Sequence, residues 1–186
     1  MLRQSEMIQA LQTGQGTREP AAHTGILAPP RSGNRDVDQA QILDALRARR
    51  VFASEDKNRS VVLSAQTTGG ADTYLMGDIV VPSSARDSIR IEIVTENKNE
   101  SEGRKDYIEK VELIGSPGAS GSASGFSVQG QFDASKSYFR GQVVISSGQL
   151  SALRRTPYGE IYFYARVKQG DDDVLYSAPV WIRSSP

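Results

Sequence analysis

Two hydrophobic periods divide the chain near residue 50. Before it, Ile42, Ala45, Leu46 and Arg49 recur at the i, i+3, i+4, i+7 spacing of one helix face, which predicts a helix over 37–49. Asp36 is placed to cap the first free N–H groups, and Gln39 three residues later completes a capping box. Arg47, Arg49 and Arg50 close the segment, where cations suit the negative end of the helix dipole. After residue 50 the period falls to two. In 88–95, Ile89, Ile91 and Ile93 alternate with Arg90 and Glu92; in 160–168, Ile161, Phe163, Ala165 and Val167 alternate with Tyr162, Tyr164, Arg166 and Lys168. Shorter runs at 50–54, 60–66, 73–81, 108–114, 138–146 and 174–183 complete about eight predicted strands, separated by turn signals rather than helices.

Alternation of this kind gives each sheet one buried and one wet face, and hence antiparallel pairing. The expected fold is mainly β: an antiparallel immunoglobulin-like β-sandwich with one N-terminal helix. Gly170–Asp173 reads as a hairpin loop between the last two strands. Asn97–Asp106 reads as a charged loop, and Ser116–Gly125, made only of Ser, Gly, Ala and Pro, as a flexible one. Residues 1–36 read as a poorly ordered segment preceding a domain over 37–186. They contain a breaker cluster at 28–34 and one apolar island, Ile26-Leu27, suited to docking on something.

Composition narrows the chemistry. The 186 residues include 22 basic and 22 acidic side chains, so the net charge is zero, which argues against a sequence-blind nucleic-acid binder. The absence of cysteine removes disulfides, thiolate metal sites and a cysteine nucleophile. His23 is the sole histidine, so neither a histidine-rich metal site nor a well-placed catalytic triad is expected. Asp171-Asp172-Asp173 lacks the alternate ligand spacing of a calcium loop and reads as a solvated turn. An enzyme built on Glu55, Asp56 and His23 would need all three in one pocket. No apolar run is long enough to span a membrane and no signal-peptide core is present. Complete as written, the chain would be cytoplasmic; as a fragment it would follow its parent. Tyr162, Tyr164 and Trp181 form a candidate aromatic face for a glycan or peptide, which requires those rings exposed and coplanar.

Four stretches, in order along the chain, resemble the C-terminal region of metal-dependent phosphohydrolases of the PHP (polymerase and histidinol phosphatase) type. They are His23-Thr24-Gly25-Ile26-Leu27-Ala28, with His23 where arginine is usual, residues 43–58 from Leu43 to Asn58, Leu75-Met76-Gly77-Asp78, and 162–182 with its Ser177-Ala178-Pro179-Val180-Trp181 close. The resemblance implies the last barrel-side helix and an appended β-sandwich. In that family the metal ligands lie on barrel strands upstream, and no such motif occurs in this chain. It therefore implies a non-catalytic accessory module without a cofactor, and a separate barrel polypeptide as partner. Ile26, Leu27, Ile42 and Leu46 are the candidate docking residues. A stand-alone glycan- or peptide-binding sandwich is the alternative.

Overall fold

The computed structural model describes residues 8–10, 23–55, 59–97, 107–119 and 121–183. Its elements are β1 (Ile8–Ala10), β2 (His23–Leu27), α1 (Arg35–Arg47), β3 (Val51–Ser54), β4 (Arg59–Thr67), β5 (Tyr74–Leu75), β6 (Ile79–Val80) and β7 (Ile89–Asn97). Then follow β8 (Ile108–Pro117), β9 (Ala123–Ser127), β10 (Gln129–Phe132), β11 (Tyr138–Ile145), α2 (Ser147–Ser151), β12 (Glu160–Gln169), β13 (Val174–Ser177) and β14 (Val180–Arg183).

The strands form two sheets. One has the order β10-β11-β7-β4-β5. The other is centred on β12, with β8 and then β9 on one side. On the other side β13 pairs with Arg166–Lys168 and β14 with Glu160–Phe163, so the two act as one strand broken at Ala178-Pro179. Proline offers no N–H for a ladder, and at the break the Ala165 N–H donates instead to Ser177 Oγ at 2.9 Å. β3, β2 and β1 extend this sheet outward from β13. Taking β4, β7, β8, β9, β10, β11 and β12 as A, B, C, C′, D, E and F, with β13/β14 as G, one sheet reads D-E-B-A and the other C′-C-F-G. That is the immunoglobulin strand order. Pairing is antiparallel except for β14 with β6, which run parallel, Trp181 opposite Ile79.

The alternation places the core as expected. Val61, Leu63 and Ala65 of β4 and Ile89, Ile91 and Ile93 of β7 face Leu113 of β8 and Ile161, Phe163, Ala165 and Val167 of β12, all essentially without solvent contact.

Four differences from the sequence reading have local causes. The helix runs Arg35–Arg47 and its cap is Asn34, not Asp36: the extended Asn34 accepts from the N–H groups of Asp36 and Val37. His23–Leu27, expected in a poorly ordered segment, is a strand of the sheet, with His23 opposite Ser54 and Ile26 opposite Val51. It lacks alternation because Gly25 sits under the Phe52 ring, which takes the place of a side chain there. Ala123–Gly125, expected in a flexible loop, begins β9: paired to β8, small residues need no packing of their own to hold a strand. Finally, 174–183 is two strands rather than one. Of the predicted charged loop, 98–106 lies outside the described residues.

Candidate functional site

The helix ends in a tight junction with the sheet. Ala48 closes α1, Arg49 takes a left-handed φ of 57°, and the Arg50 N–H returns to the Ala45 carbonyl at 2.9 Å. This reversal lays α1 along the outer face of β2 and β3, where Ile26, Ala28 and Ala45 are buried among the half-buried Ile42 and Val51. The four candidate docking residues therefore separate. Adjacent strand residues point to opposite faces, so Ile26 is covered by α1 while Leu27 enters the main core. Neither is available to a partner: the island docks on its own chain. Ile42 is half spent on the same contact, and Leu46 alone stands at the surface, 43% exposed, near Leu43.

The turn after β5 completes the junction. Met76 is fully buried, and Gly77, at φ +93°, brings the backbone against the end of α1. A Cβ at Gly77 would lie 2.1 Å from the Ala48 carbonyl oxygen. Arg49 Nη2 donates to the Gly77 carbonyl at 3.0 Å, and the Gly77 N–H donates to the Pro179 carbonyl at 2.7 Å. Asp78 accepts from the Leu75 N–H through its carboxylate, and from the Trp181 N–H through its carbonyl. The Ala178 N–H, freed by the strand break, donates to the Val51 carbonyl at 2.9 Å. Helix end, turn and broken strand thus share one hydrogen-bond network.

Beside α1, the outer face of the same sheet carries the aromatic residues. Tyr162 pairs with Trp181 across the β12–β14 ladder, and Arg166 lies between Tyr176 and Glu112. Tyr162 and Tyr164 stack at 6.4 Å and 21°, Trp181 meets Tyr162 edge-on at 5.6 Å and 63°, and Tyr176 tilts against Tyr164. Tyr162, Tyr164 and Trp181 are half-buried and Trp181 stands at 63° to Tyr162, so the three do not make the exposed, coplanar platform that a glycan reading requires; with the exposed Tyr176 they form a cross-strand ladder. Burial, then the neighbouring Tyr162 and Tyr176, pushes the Tyr164 phenol up. Arg166 donates twice to one Glu112 oxygen, at 2.9 and 2.6 Å. The Lys110 ammonium, 2.8 Å from the other oxygen, and Arg166 hold the Glu112 carboxyl below the ordinary range against its desolvation. Glu112 and Arg166 were legible as polar-face residues, but only the strand register joins them.

His23 lies opposite Ser54, next to Glu55, whose carboxylate accepts from the Val174 N–H at 2.9 Å, and Asp56 lies outside the described residues. At the β12–β13 hairpin, Asp172 binds Lys168 at 2.8 Å and Asp171 accepts from the Asp173 N–H, as turn residues do. Among the described residues no group of three or more His, Asp or Glu side chains could hold a metal ion. No helix among them is long and apolar enough to cross a membrane. A concavity that the sequence did not suggest, of about 760 Å³, opens at β10, β11 and β7, lined by Glu92, Gln131, Phe132, Tyr138, Arg140 and Gln142.

The chain matches no protein-family model, no curated protein and no solved structure. The junction and the two outer faces are therefore the features from which function has to be argued.

Proposed function

We propose that the chain is a non-catalytic accessory module of a PHP-type metal-dependent phosphohydrolase, a helix-and-sandwich unit that works beside a barrel carried on a separate polypeptide. One observation supports this reading: the stretches that carry the resemblance, scattered from residue 23 to 182, meet in one place. His23–Leu27 is β2, the second stretch supplies the end of α1 and β3, and Leu75-Met76-Gly77-Asp78 is the turn packed on that helix end. The closing stretch supplies β12, β13 and β14, which bind the second and third through Val51, Gly77 and Asp78, while β2 is joined to it through β3. Residues kept together by a shared structural task are expected to converge in this way, whereas chance matches are not. Leu43 and Leu46 on α1, both 43% exposed, are the side chains left for a partner.

The test has two parts. The purified chain, given p-nitrophenyl phosphate with manganese or zinc, is expected to show no turnover; metal-dependent hydrolysis by the chain alone overturns the reading. Mixed with the barrel polypeptide of the neighbouring reading frame, it is expected to co-elute on size exclusion, and Leu43→Asp with Leu46→Asp is expected to abolish co-elution. A barrel that elutes separately from the unsubstituted chain also overturns it.

A further inference from the structure

We infer that the concavity at β10, β11 and β7 is a binding site for a neutral oligosaccharide. Its volume of about 760 Å³ lies within the range of small-molecule sites. Register orders its lining. Gln129 of β10 lies opposite Gln142 of β11, which lies opposite Glu92 of β7, and Gln131 lies opposite Arg140. These five side chains fall on the side of the sheet away from the buried Phe139, Ile91 and Ile93. They form two adjoining polar rows, with neighbouring strands about 4.8 Å apart. Tyr138 and Phe132, both exposed, add aromatic surface at the β10–β11 turn. The backbone beneath the rows is fixed. Gly130 and Gly141 are opposed in the ladder, and the Phe139 ring fills the space under both, where a Cβ would meet it at 2.4 and 2.5 Å. β10 is thereby held on β11 despite its length, and needs no ordering when a ligand binds.

The chemistry of the lining selects the ligand. Among the described residues the carboxamides of Gln129, Gln131 and Gln142 have no hydrogen-bond partner. Each offers two N–H donors and a carbonyl acceptor, which suits hydroxyl groups that both donate and accept. The rows hold no uncompensated charge for a phosphate or a metal ion, since Arg140 donates through Nε to Glu92 at 2.6 Å. Asp133, beside them, is turned into its own loop, where it accepts from the Ser135 and Ser137 hydroxyls and the Tyr138 N–H. The apolar face of a sugar ring can rest on the Tyr138 ring, as aromatic side chains combine apolar area with a polar tip. A peptide would need a desolvated pocket for an anchor side chain, and the exposed rows provide none. Each hydrogen bond here competes with water, so the dissociation constant is expected near about 1 mM. The site lies on the sheet opposite to the Tyr162–Trp181 ladder, and the inference stands independently of the accessory reading.

NMR titration of the nitrogen-15-labelled chain with cellohexaose, xylohexaose, mannohexaose and maltohexaose, each to about 10 mM, spans that affinity. At least one of the four is expected to shift the side-chain amide signals of Gln129, Gln131 and Gln142 saturably. Gln131→Ala combined with Gln142→Ala is expected to weaken that binding by about tenfold or more, while thermal unfolding stays as in the parent because both positions are exposed. Raising sodium chloride from about 50 to about 500 mM is expected to leave the affinity within about twofold, since no unpaired charge takes part. No saturable shift with any of the four sugars, binding that survives the double substitution, or binding lost in high salt would each overturn the inference. So would shifts of these amides by a tryptic digest of casein and by none of the sugars.

Discussion

Replacing Gly77 by alanine tests the junction on which the fold's first third depends. Two costs add. At φ +93° an alanine occupies the left-handed region, a penalty of about 1–2 kcal/mol. Its Cβ would also stand 2.1 Å from the Ala48 carbonyl oxygen and 2.9 Å from the Arg49 carbonyl carbon and oxygen. Those atoms are backbone, held by the α1 terminus and by the Arg49 and Pro179 bonds, so they cannot swing aside as a side-chain tip would. Forcing them apart resembles overpacking, at about 1–3 kcal/mol. The expected loss is about 2–5 kcal/mol, or about 5–15 °C in Tm for a chain of this length. Urea denaturation of three variants separates the contributions. Gly159→Ala has a left-handed φ of 80° but open space around the new Cβ, so it should lose the conformational part alone, about 1–2 kcal/mol. Gly125→Ala has neither problem and should lie within about 0.5 kcal/mol of the parent or slightly above it. If Gly77→Ala is no worse than Gly159→Ala, the helix end is not packed on this turn and the junction is wrongly described.

Three further outcomes are expected. Because Lys110 and Arg166 depress the folded carboxyl of Glu112 below its ordinary 4.5, that group contributes stability above about pH 5, which is lost as pH falls through the lowered value. The stability gap between the parent and Glu112→Gln should accordingly be constant near neutrality and close in acid, as urea titrations at stepped pH would reveal; a gap that widens in acid contradicts the assignment. Gln169 is fully buried with both amide atoms unpartnered, so Gln169→Met, similar in shape, should raise the urea midpoint by the equivalent of about 1–2 kcal/mol, whereas a loss would mean that the amide is satisfied in solution. Trp181, the sole tryptophan, lies against Tyr162, and its fluorescence should be unmoved by soluble oligosaccharides; a saturable shift would instead favour a glycan-binding face.

The legible part of the fold was the part with a strong period. β7 and β12 each bury every second residue, and no other backbone could do so with Ile89, Ile91 and Ile93 or Ile161, Phe163 and Val167. The strands that went unread are held by neighbours rather than by their own pattern. β2 is wedged between β1 and β3, β9 leans on β8, and β10 is four exposed residues on β11. The same distinction explains the docking residues. Sequence marks Ile26 and Leu27 as apolar and in need of cover, which is correct, but whether the cover is α1, the core or another molecule depends on a crossover that no local signal encodes. The aromatic face was read as residue types on one side of a strand; that its rings pack on each other, and that Arg166 reaches Glu112 from 54 residues away, is a property of register.

The broken final strand ties the two ends of the polypeptide together. β3 joins β2 to the rest of the sheet through Leu175–Ser177, and Glu55 reaches a backbone N–H placed 119 residues later. During synthesis Leu27 and Phe52, which belong to the main core, must therefore wait uncovered until β13 and β14 leave the ribosome. Such closure is slow and leaves apolar surface open meanwhile. A polypeptide stopped short of β13 should accumulate as insoluble material even though its central strands are intact.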